Sequence, residues 1–295
     1  MSLFTIGDVD PEAIMGILDS ATGYGRATDR RHFEGTIVAT MFFEASTRTR
    51  LSFELAAARI GADVVSFDPE TSSSTKGETL KDTARTICAM GVDVLVIRHS
   101  DVGAPEMVAE WTGCPVINGG DGRRGHPTQT LADLLTIRNH FGAFADIKIG
   151  LVGDIANSRV ARGLIDVLPR LGVSLQLIGP PPFLTGQPGI PFSHTLDDVL
   201  PDLDVVYLLR VQKERGATRS YPSDREYRHR FGLTARRAEL LKDDAVVMHP
   251  GPFNRGVEID GPVADGDRSL ILDQVANGVL VRMAVLASAL EKKWG

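Results

Sequence analysis

The stretch TIVATMFFEASTRTRLSFE, residues 36–54, decides how this sequence is expected to fold. Residues 36–43 form an almost continuous apolar run, which is typical of a strand buried on both faces of a parallel sheet. Hydroxyl-bearing residues follow at once, and residues 46–60 then have the pattern of a helix that ends at Gly61. A buried strand that leads directly into a helix indicates an α/β fold.

The same alternation of apolar runs and helical patterns continues on the C-terminal side of this stretch. Further strands are predicted at residues 63–67, 92–98, 115–118, 148–152, 174–178, 205–209 and 245–248. Further helices are predicted at residues 77–90, 105–112, 126–141 and 158–171, with a last, amphipathic helix at 272–292. We therefore expect an α/β protein with two doubly wound parallel-sheet domains linked by helices. The first domain would comprise residues 1–134 with the C-terminal helix 275–295, and the second residues 135–274.

Composition and charge argue against several functional classes. A chain of 295 residues suits two medium-sized domains, and a net charge of -6 argues against nucleic acid as a partner. We expect no signal peptide, because the N-terminal residues 1–13 are acidic and lack a basic start followed by an apolar run. We expect no membrane span, because no apolar stretch approaches the required ~20 residues. Cys88 and Cys114 are expected to be two separate buried thiols in a cytoplasmic protein. Since no Cys/His cluster has zinc-ligand spacing, we expect no metal, and we expect no cofactor.

The residues after the first strand predict an anion site. Ser46, Thr47, Arg48 and Thr49 fall at the cap and first turn of the helix, where unpaired backbone N–H groups favour an anion. Arg48 and Arg50 are two positions apart and therefore point to different faces, so one can reach a ligand while the other forms an ion pair. An N-capped surface helix with exposed arginines is the alternative.

Other hydrogen-bonding groups follow later strands. Arg98 ends the run VDVLVIR and can bind a phosphate through two N–H groups, although a surface ion pair is the alternative. His126 and Gln129 are three residues apart in HPTQ and can face one ligand, or His126 can simply cap a helix. The prolines of HPGP, residues 249–252, are expected to hold the chain extended, with or without a ligand at its carbonyls.

These motifs, STRTR at 46–50, HPTQ at 126–129 and HPGP at 249–252, resemble the aspartate/ornithine carbamoyltransferase superfamily. The resemblance implies that the first domain binds carbamoyl phosphate and the second the amino acid. It assigns carbamoyl phosphate to a set of residues, with catalytic roles for four of them (Arg48, Thr49, Arg98 and His126). The binding set is Ser46, Thr47, Arg48, Thr49, Ser72, Arg98, His126, Gln129, Gly251 and Pro252.

The resemblance also implies an assembly. In the family, the loop that matches Ser72 and Lys76 reaches into the active site of a neighbouring subunit, which makes a homotrimer with shared sites. In isolation, this Ser/Thr/Gly-rich segment reads as a solvated loop. A higher assembly with dihydroorotase or with regulatory chains stays open at this point.

The charged residues of the second domain indicate which amino acid accepts the carbamoyl group. Arg159 and Arg210, with Gln212, suit the two carboxylates of aspartate and would repel the side-chain ammonium of ornithine. Lys76 of the neighbouring subunit would assist. Ornithine enzymes have HCLP in place of HPGP and a DxxxSMG stretch that is absent here, so we favour aspartate.

The expected reaction is direct attack of the aspartate amine on carbamoyl phosphate, a step of pyrimidine biosynthesis, without a covalent enzyme intermediate. Two alternatives belong to other classes. One is a catalytically silent paralogue that only binds metabolites or partner proteins. The other is a nicotinamide-linked enzyme, which the turn GDIANS at residues 153–158 disfavours because it lacks the GxGxxG pattern.

Overall fold

A computed structural model of the chain describes residues 2–26, 32–69, 77–184, 189–211 and 223–291. The chain divides into two compact units. The first unit comprises residues 1–135 and 276–295, and the second comprises residues 136–275.

The first unit is an α/β unit with a four-stranded sheet. Its elements are, in chain order, α1 (Pro11–Arg26), β1 (Ile37–Phe42), α2 (Thr47–Ile60), β2 (Asp63–Phe67), α3 (Leu80–Ala89), β3 (Val94–His99), α4 (Ala104–Thr112), β4 (Val116–Asp121) and α5 (Pro127–Phe141), whose last turns belong to the second unit. The strand order is β2-β1-β3-β4, and every pairing is parallel. The carboxyl ends of these strands therefore lie at one edge of the sheet.

The apolar run that was predicted as a buried strand is confirmed. β1 lies between β2 and β3, with Phe42 opposite Arg98 in the register. Five of its six residues are buried, as expected for an inner strand covered on both faces. α2 follows after four residues and ends at Gly61, which has a φ of 89° and donates its N–H to carbonyls of the last turn.

The second unit has a five-stranded sheet. Its elements are β5 (Lys148–Val152), α6 (Arg159–Val167), β6 (Ser174–Ile178), β7 (Phe192–Ser193), β8 (Val205–Leu208), α7 (Asp224–Phe231), α8 (Ala235–Ala238), β9 (Val246–Met248) and α9 (Gly261–Ala264). The order is β7-β6-β5-β8-β9, again with parallel pairings throughout. Both sheets thus match the predicted fold class of two parallel-sheet α/β domains.

Gly153 allows the ends of β5 and β8 to approach each other. It follows β5 with a φ of 126°, and a Cβ atom at this position would lie 2.8 Å from the carbonyl oxygen of Leu209. The backbone N–H of Leu209 in turn donates to the carbonyl of Val152 at 2.8 Å. A side chain at position 153 would therefore push the chain after β8 away from β5.

The charged segment at residues 210–232 is described only in part. Part of it, residues 212–222, lies outside the described residues. The rest contains α7, whose N-cap Ser223 accepts a hydrogen bond from the N–H of Glu226. Tyr227 and Phe231 are buried in the core of the second unit, which fixes this helix although its sequence is mostly charged.

The C-terminal helix α10 (Ile271–Leu290) occurs where a helix was predicted, but it is not simply amphipathic. Val281, Met283, Ala284 and Leu286 are all buried, and together they cover more than one face of the helix. The expectation that no stretch is long and apolar enough for a membrane also needs correction. Within the described ranges, α10 alone passes that test by length and composition, and it is mostly buried, as a core helix is.

The two cysteines are paired, which contradicts the expectation of separate buried thiols. Cys88 lies near the end of α3 and Cys114 just before β4, with their Cα atoms 6.7 Å apart, and the structure joins them as a disulfide. Both are only half-buried and pack against the core of the first unit. Their separation of 26 residues gave no indication of this contact, which arises because α3 and α4 pack side by side.

Candidate active site

The candidate anion site of the first unit lies where β1 leads into α2. Ser46 is the N-cap of α2, and Thr47, Arg48 and Thr49 form its first turn, as predicted. The side chain of Ser46 makes no capping bond to the helix. The partial positive charge of the first-turn N–H groups is therefore not offset by this hydroxyl, which leaves the helix end suited to an anion.

Thr49 and His126, which are 77 residues apart in the sequence, are brought together in the first unit. The Oγ1 atom of Thr49 lies 3.4 Å from Nε2 of His126, and the tautomer of the ring decides which atom donates. Both side chains are largely buried. His126 precedes α5, and its carbonyl accepts the N–H groups of Gln129 and Thr130 in the first turn.

Arg98 lies near the end of β3, in register with Phe42 of β1, so its guanidinium belongs to the same sheet edge. Its Nη1 atom donates to the carbonyl of Gly119 at 3.2 Å, and its Nε atom lies 3.4 Å from a carboxylate oxygen of Glu44. These two contacts orient the guanidinium. Glu44 was not predicted, although its place directly after the β1 run is a usable signal.

The two arginines of the STRTR motif behave differently. Arg50 lies 3.8 Å from Glu54, four residues later on α2, so it is the arginine that forms the ion pair. Arg48 belongs to the first turn, near the N-terminus of the helix. The predicted ion pair is thus made by Arg50, and the contact of Arg48 with a ligand stays a prediction.

Gln129 is held by a residue that the sequence did not single out. Its Nε2 atom donates to Oδ1 of Asp133, one turn later on α5, at 2.9 Å. Asp133 is fully buried, whereas Gln129 is half-buried. A fully buried carboxylate next to a candidate ligand-binding amide is unusual enough to suggest a role for the pair.

The predicted residues of the second unit also follow strand ends. Arg159 is the first residue of α6, after β5, and is half-buried. The N-cap Ser158 accepts a hydrogen bond from the N–H of Ala161 at 3.1 Å. Arg162, three residues later on the same helix, is exposed.

Arg210 lies two residues after the end of β8, and the backbone of the next residue, Val211, is held by a hydrogen bond. The N–H of Val211 donates to Oε1 of Glu258 at 3.0 Å. The same carboxylate accepts the backbone N–H and the side-chain amide of Asn254, at 2.7 and 2.9 Å. Glu258, which is fully buried, therefore ties the Arg210 segment to the turn after β9, a link that the sequence analysis missed.

The HPGP segment after β9 is a turn rather than the extended chain that its prolines predicted. Gly251 has a φ of 61°, and the Gly251–Pro252 peptide bond is cis. The N–H of Gly251 donates back to Nδ1 of His249 at 2.8 Å. Glycine adopts this positive φ without the strain that a side chain would add, which lets the chain bend between the two prolines.

Three predicted residues lie outside the described part of the chain, namely Ser72, Lys76 and Gln212. The others fall into two groups. Those of the first unit gather at one sheet edge, and those of the second unit follow β5, β8 and β9. Each unit is thus a parallel α/β unit with cationic side chains beyond its strand ends, which is the architecture of an enzyme that binds anionic small molecules.

Two domain models of one known protein family match most of the chain. Residues 1–139 match the model of the aspartate/ornithine carbamoyltransferase carbamoyl-P binding domain, and residues 145–289 match that of the Asp/Orn binding domain. The chain therefore belongs to the aspartate/ornithine carbamoyltransferase family. It is 48% identical over 295 residues to an aspartate carbamoyltransferase catalytic subunit of Salinispora arenicola, a match that covers 96% of each protein. It is 49% identical to that of Acidothermus cellulolyticus, covering 96% of this chain and 90% of the relative.

Solved structures agree with the sequence matches. The catalytic subunit of M. jannaschii aspartate transcarbamoylase aligns with a TM-score of 0.88 and 35% identity, covering 100% of this chain and 99% of the other. An aspartate transcarbamoylase from Trypanosoma cruzi, in complex with carbamoyl phosphate and aspartate, aligns with a TM-score of 0.87 and 32% identity. That alignment covers 97% of this chain and 96% of the other.

Proposed function

We propose that this chain transfers the carbamoyl group of carbamoyl phosphate to the amine of L-aspartate, giving N-carbamoyl-L-aspartate and phosphate. The observation that carries the proposal is the pairing of Thr49 with His126 at the start of α2, on the sheet edge where Arg98 also lies, near the end of β3. Relatives with 48–49% identity that are named aspartate carbamoyltransferase catalytic subunits support the choice of reaction.

Carbamoyl phosphate is bound mainly by the first unit in this proposal. Its phosphate lies against the first turn of α2, with Ser46, Thr47, Arg48 and Thr49 as donors. Arg98 and His126 donate to the carbamoyl carbonyl oxygen, and Gln129 orients the carbamoyl NH2 group. Further contacts come from a neighbouring subunit's Ser72 and from the main-chain carbonyls at Gly251 and Pro252.

The reaction needs no covalent enzyme intermediate. The unprotonated amine of aspartate attacks the carbamoyl carbon, and the carbonyl oxygen becomes an oxyanion. Thr49, Arg98 and His126 stabilise this charge, while Arg48 and the helix end stabilise the phosphate that leaves. The C–O bond to phosphate then breaks, and the departing phosphate takes the proton of the amine. The protein supplies orientation and positive charge.

Aspartate is bound through its two carboxylates. Arg159 and Arg210 are the proposed partners, assisted by Gln212 and by Lys76 of the neighbouring subunit. Guanidinium groups form paired, charge-assisted hydrogen bonds with carboxylates. The position of Arg159 at the start of α6 adds the favourable field of the helix end.

Parallel assays with aspartate and ornithine test this function. Purified protein is incubated with carbamoyl phosphate and either amino acid, and the carbamoylated product and phosphate are measured. We expect product with aspartate and none above background with ornithine. Product with ornithine alone would reverse the proposed roles of Arg159 and Arg210, and no product with either would favour a silent binding protein.

We also propose that the chain forms a homotrimer with shared active sites. Leu51 and Leu55, one turn apart on α2, are 48% and 50% exposed, and Val65 on the edge strand β2 is 53% exposed. Large apolar side chains grouped around an edge strand suit contact with another subunit. Sedimentation of the purified protein tests this, and a monomer at assay concentration would argue against the assembly.

Pyrimidine biosynthesis and a cytoplasmic location remain predictions. The first follows from the product, since carbamoyl aspartate is the precursor of the pyrimidine ring in this family. Complementation of a pyrimidine-requiring strain tests it. Cell fractionation tests the location, for which the Cys88–Cys114 pairing offers no support. A dihydroorotase or a regulatory chain as partner stays open, and co-purification addresses it.

A further inference from the structure

The carboxylate of Asp133 controls which end of the Gln129 amide is available to a ligand. An ionised carboxylate only accepts hydrogen bonds, so it must face the NH2 end of the amide. The bond from Nε2 of Gln129 to Oδ1 of Asp133, 2.9 Å long, satisfies this condition. The amide oxygen of Gln129 then faces away from Asp133. A protonated Asp133 could instead donate to that oxygen and reverse the amide.

Arg282 on α10 supplies the opposite charge. It is buried, burial lowers its pKa from the usual arginine value to about 10, and the charge of Asp133 acts in the opposite direction. Arg282 therefore stays protonated at neutral pH and places a buried positive charge opposite the carboxylate of Asp133. A buried guanidinium is costly unless an opposite charge and hydrogen bonds compensate it.

The surroundings of Arg282 hold it in place. Its Nη1 atom donates to the carbonyl of Gly278 at 2.9 Å, and its guanidinium lies 5.1 Å from the ring centre of Phe53. A Cβ atom at position 278 would come within 2.6 Å of Nη1, so glycine leaves the room that the guanidinium occupies. Phe53 belongs to α2, the helix whose N-terminus forms the candidate anion site.

We propose that Asp133 is a positioning residue for carbamoyl transfer, which accepts a hydrogen bond from the NH2 end of the Gln129 amide and so presents its amide oxygen to the NH2 group of the carbamoyl moiety. This inference rests on the proposed function, in which Gln129 contacts that group. An amide oxygen accepts a hydrogen bond from NH2 and gains nothing from a methyl group. The pair thus contributes to selectivity for carbamoyl phosphate over acyl phosphates of the same shape.

Acetyl phosphate, which has CH3 where carbamoyl phosphate has NH2, is the probe. The KM of carbamoyl phosphate and the inhibition constant of acetyl phosphate are measured in the aspartate assay for the wild type and for Asp133→Asn. The asparagine side chain both donates and accepts, so it no longer fixes the Gln129 amide. We expect the preference for carbamoyl phosphate to fall about five- to tenfold, the effect of one neutral hydrogen bond, with the KM of aspartate little changed.

Further variants separate positioning from a merely structural role. In a Gln129→Met background, where no amide remains to be oriented, Asp133→Asn should leave the preference unchanged. The double variant Asp133→Asn/Arg282→Met removes both buried charges together, so it guards against unfolding caused by an unpaired guanidinium. We expect it to show the same reduced preference as Asp133→Asn.

The outcomes distinguish this inference from the proposed function. If the wild type is active and Asp133→Asn keeps the full preference for carbamoyl phosphate, the proposed role of Asp133 is overturned but the proposed function is not. If Asp133→Asn does not fold, an unchanged preference in the double variant leads to the same conclusion. So does an equal fall in the preference with and without Gln129. A wild type that does not carbamoylate aspartate overturns the proposed function, and the inference with it.

Discussion

The N-termini of α2 and α6 occupy similar places in their sheets but differ in their capping. Each helix follows an inner strand of its sheet, β1 or β5, and each has a serine at its N-cap. Ser158 accepts a hydrogen bond from the N–H of Ala161 and so closes the start of α6. Ser46 makes no such bond, and the start of α2 keeps its N–H groups uncapped by that side chain.

This difference separates a helix end stabilised by its own cap from one suited to a ligand. A cap satisfies one of the orphan N–H groups and stabilises the helix, whereas an uncapped end depends on water or an anion. In the first unit the helix end itself can bind phosphate. In the second unit the proposed ligand groups are the guanidiniums of Arg159 and Arg210, and the helix end mainly supports the fold.

The largest loss of activity is expected for substitution of Arg98, whose guanidinium lies at the same sheet edge as the uncapped start of α2. Arg98→Ala removes a proposed donor to the oxyanion, and kcat should fall about 10²- to 10³-fold. Steady-state kinetics at saturating carbamoyl phosphate and aspartate measures this. Arg50→Ala is the matched control, because Arg50 pairs with Glu54, and it should keep most of the activity. Full turnover by Arg98→Ala would contradict the proposed mechanism.

Substitution of Arg159 should have a smaller effect, and it should act on the KM of aspartate rather than on kcat. Arg159→Ala removes a charge-assisted contact to a carboxylate of aspartate, so the KM of aspartate should rise roughly 10- to 100-fold. The KM of carbamoyl phosphate should change little. Arg162→Ala, on the exposed side of the same helix, serves as the control and should leave both constants unchanged. Equal effects of the two variants would mean that Arg159 acts through general charge only.

The variant Glu258→Gln tests whether a carboxylate is needed to hold the segments at Val211 and Asn254 in the second unit. In Glu258→Gln, an NH2 group must face donors on Val211 or Asn254, which leaves at least one buried N–H unpaired. The free energy of unfolding should fall by about 1–3 kcal/mol, and the KM of aspartate should rise because Arg210 adjoins Val211. Denaturant unfolding and kinetics measure these changes. Glu226→Gln, which alters an exposed pair with Arg230, should cost less than about 1 kcal/mol.

Much of the first unit's candidate site could be predicted because its residues lie close to strand ends in the sequence. Arg98 lies next to the last residue of β3, and Thr49 lies in the first turn of the helix after β1, so the parallel sheet alone brings them to one edge. Hydrophobic runs of this kind are a strong local signal. The sheet order then places side chains from distant parts of the chain together without further information.

The missed features depend on contacts that no local pattern records. Asp133 looks like one polar residue in a helix until α10 brings Arg282 to it. Glu258 accepts N–H groups from two separate segments, and α7 is fixed by the burial of Tyr227 and Phe231 rather than by its charged sequence. The turn at Gly251 was missed because the prolines on either side suggested an extended chain.

The smallest predicted effect tests the opening comparison most directly. Ser158→Ala removes the cap of α6 and should lower the free energy of unfolding by about 1 kcal/mol, measured by denaturant titration without ligands. Ser46→Ala removes a side chain that makes no capping bond, so stability without ligands should stay the same. Its effect should appear instead as a higher KM for carbamoyl phosphate. If Ser46→Ala proves as destabilising as Ser158→Ala, the two helix ends do not differ in the way proposed, because both serines would then act as caps.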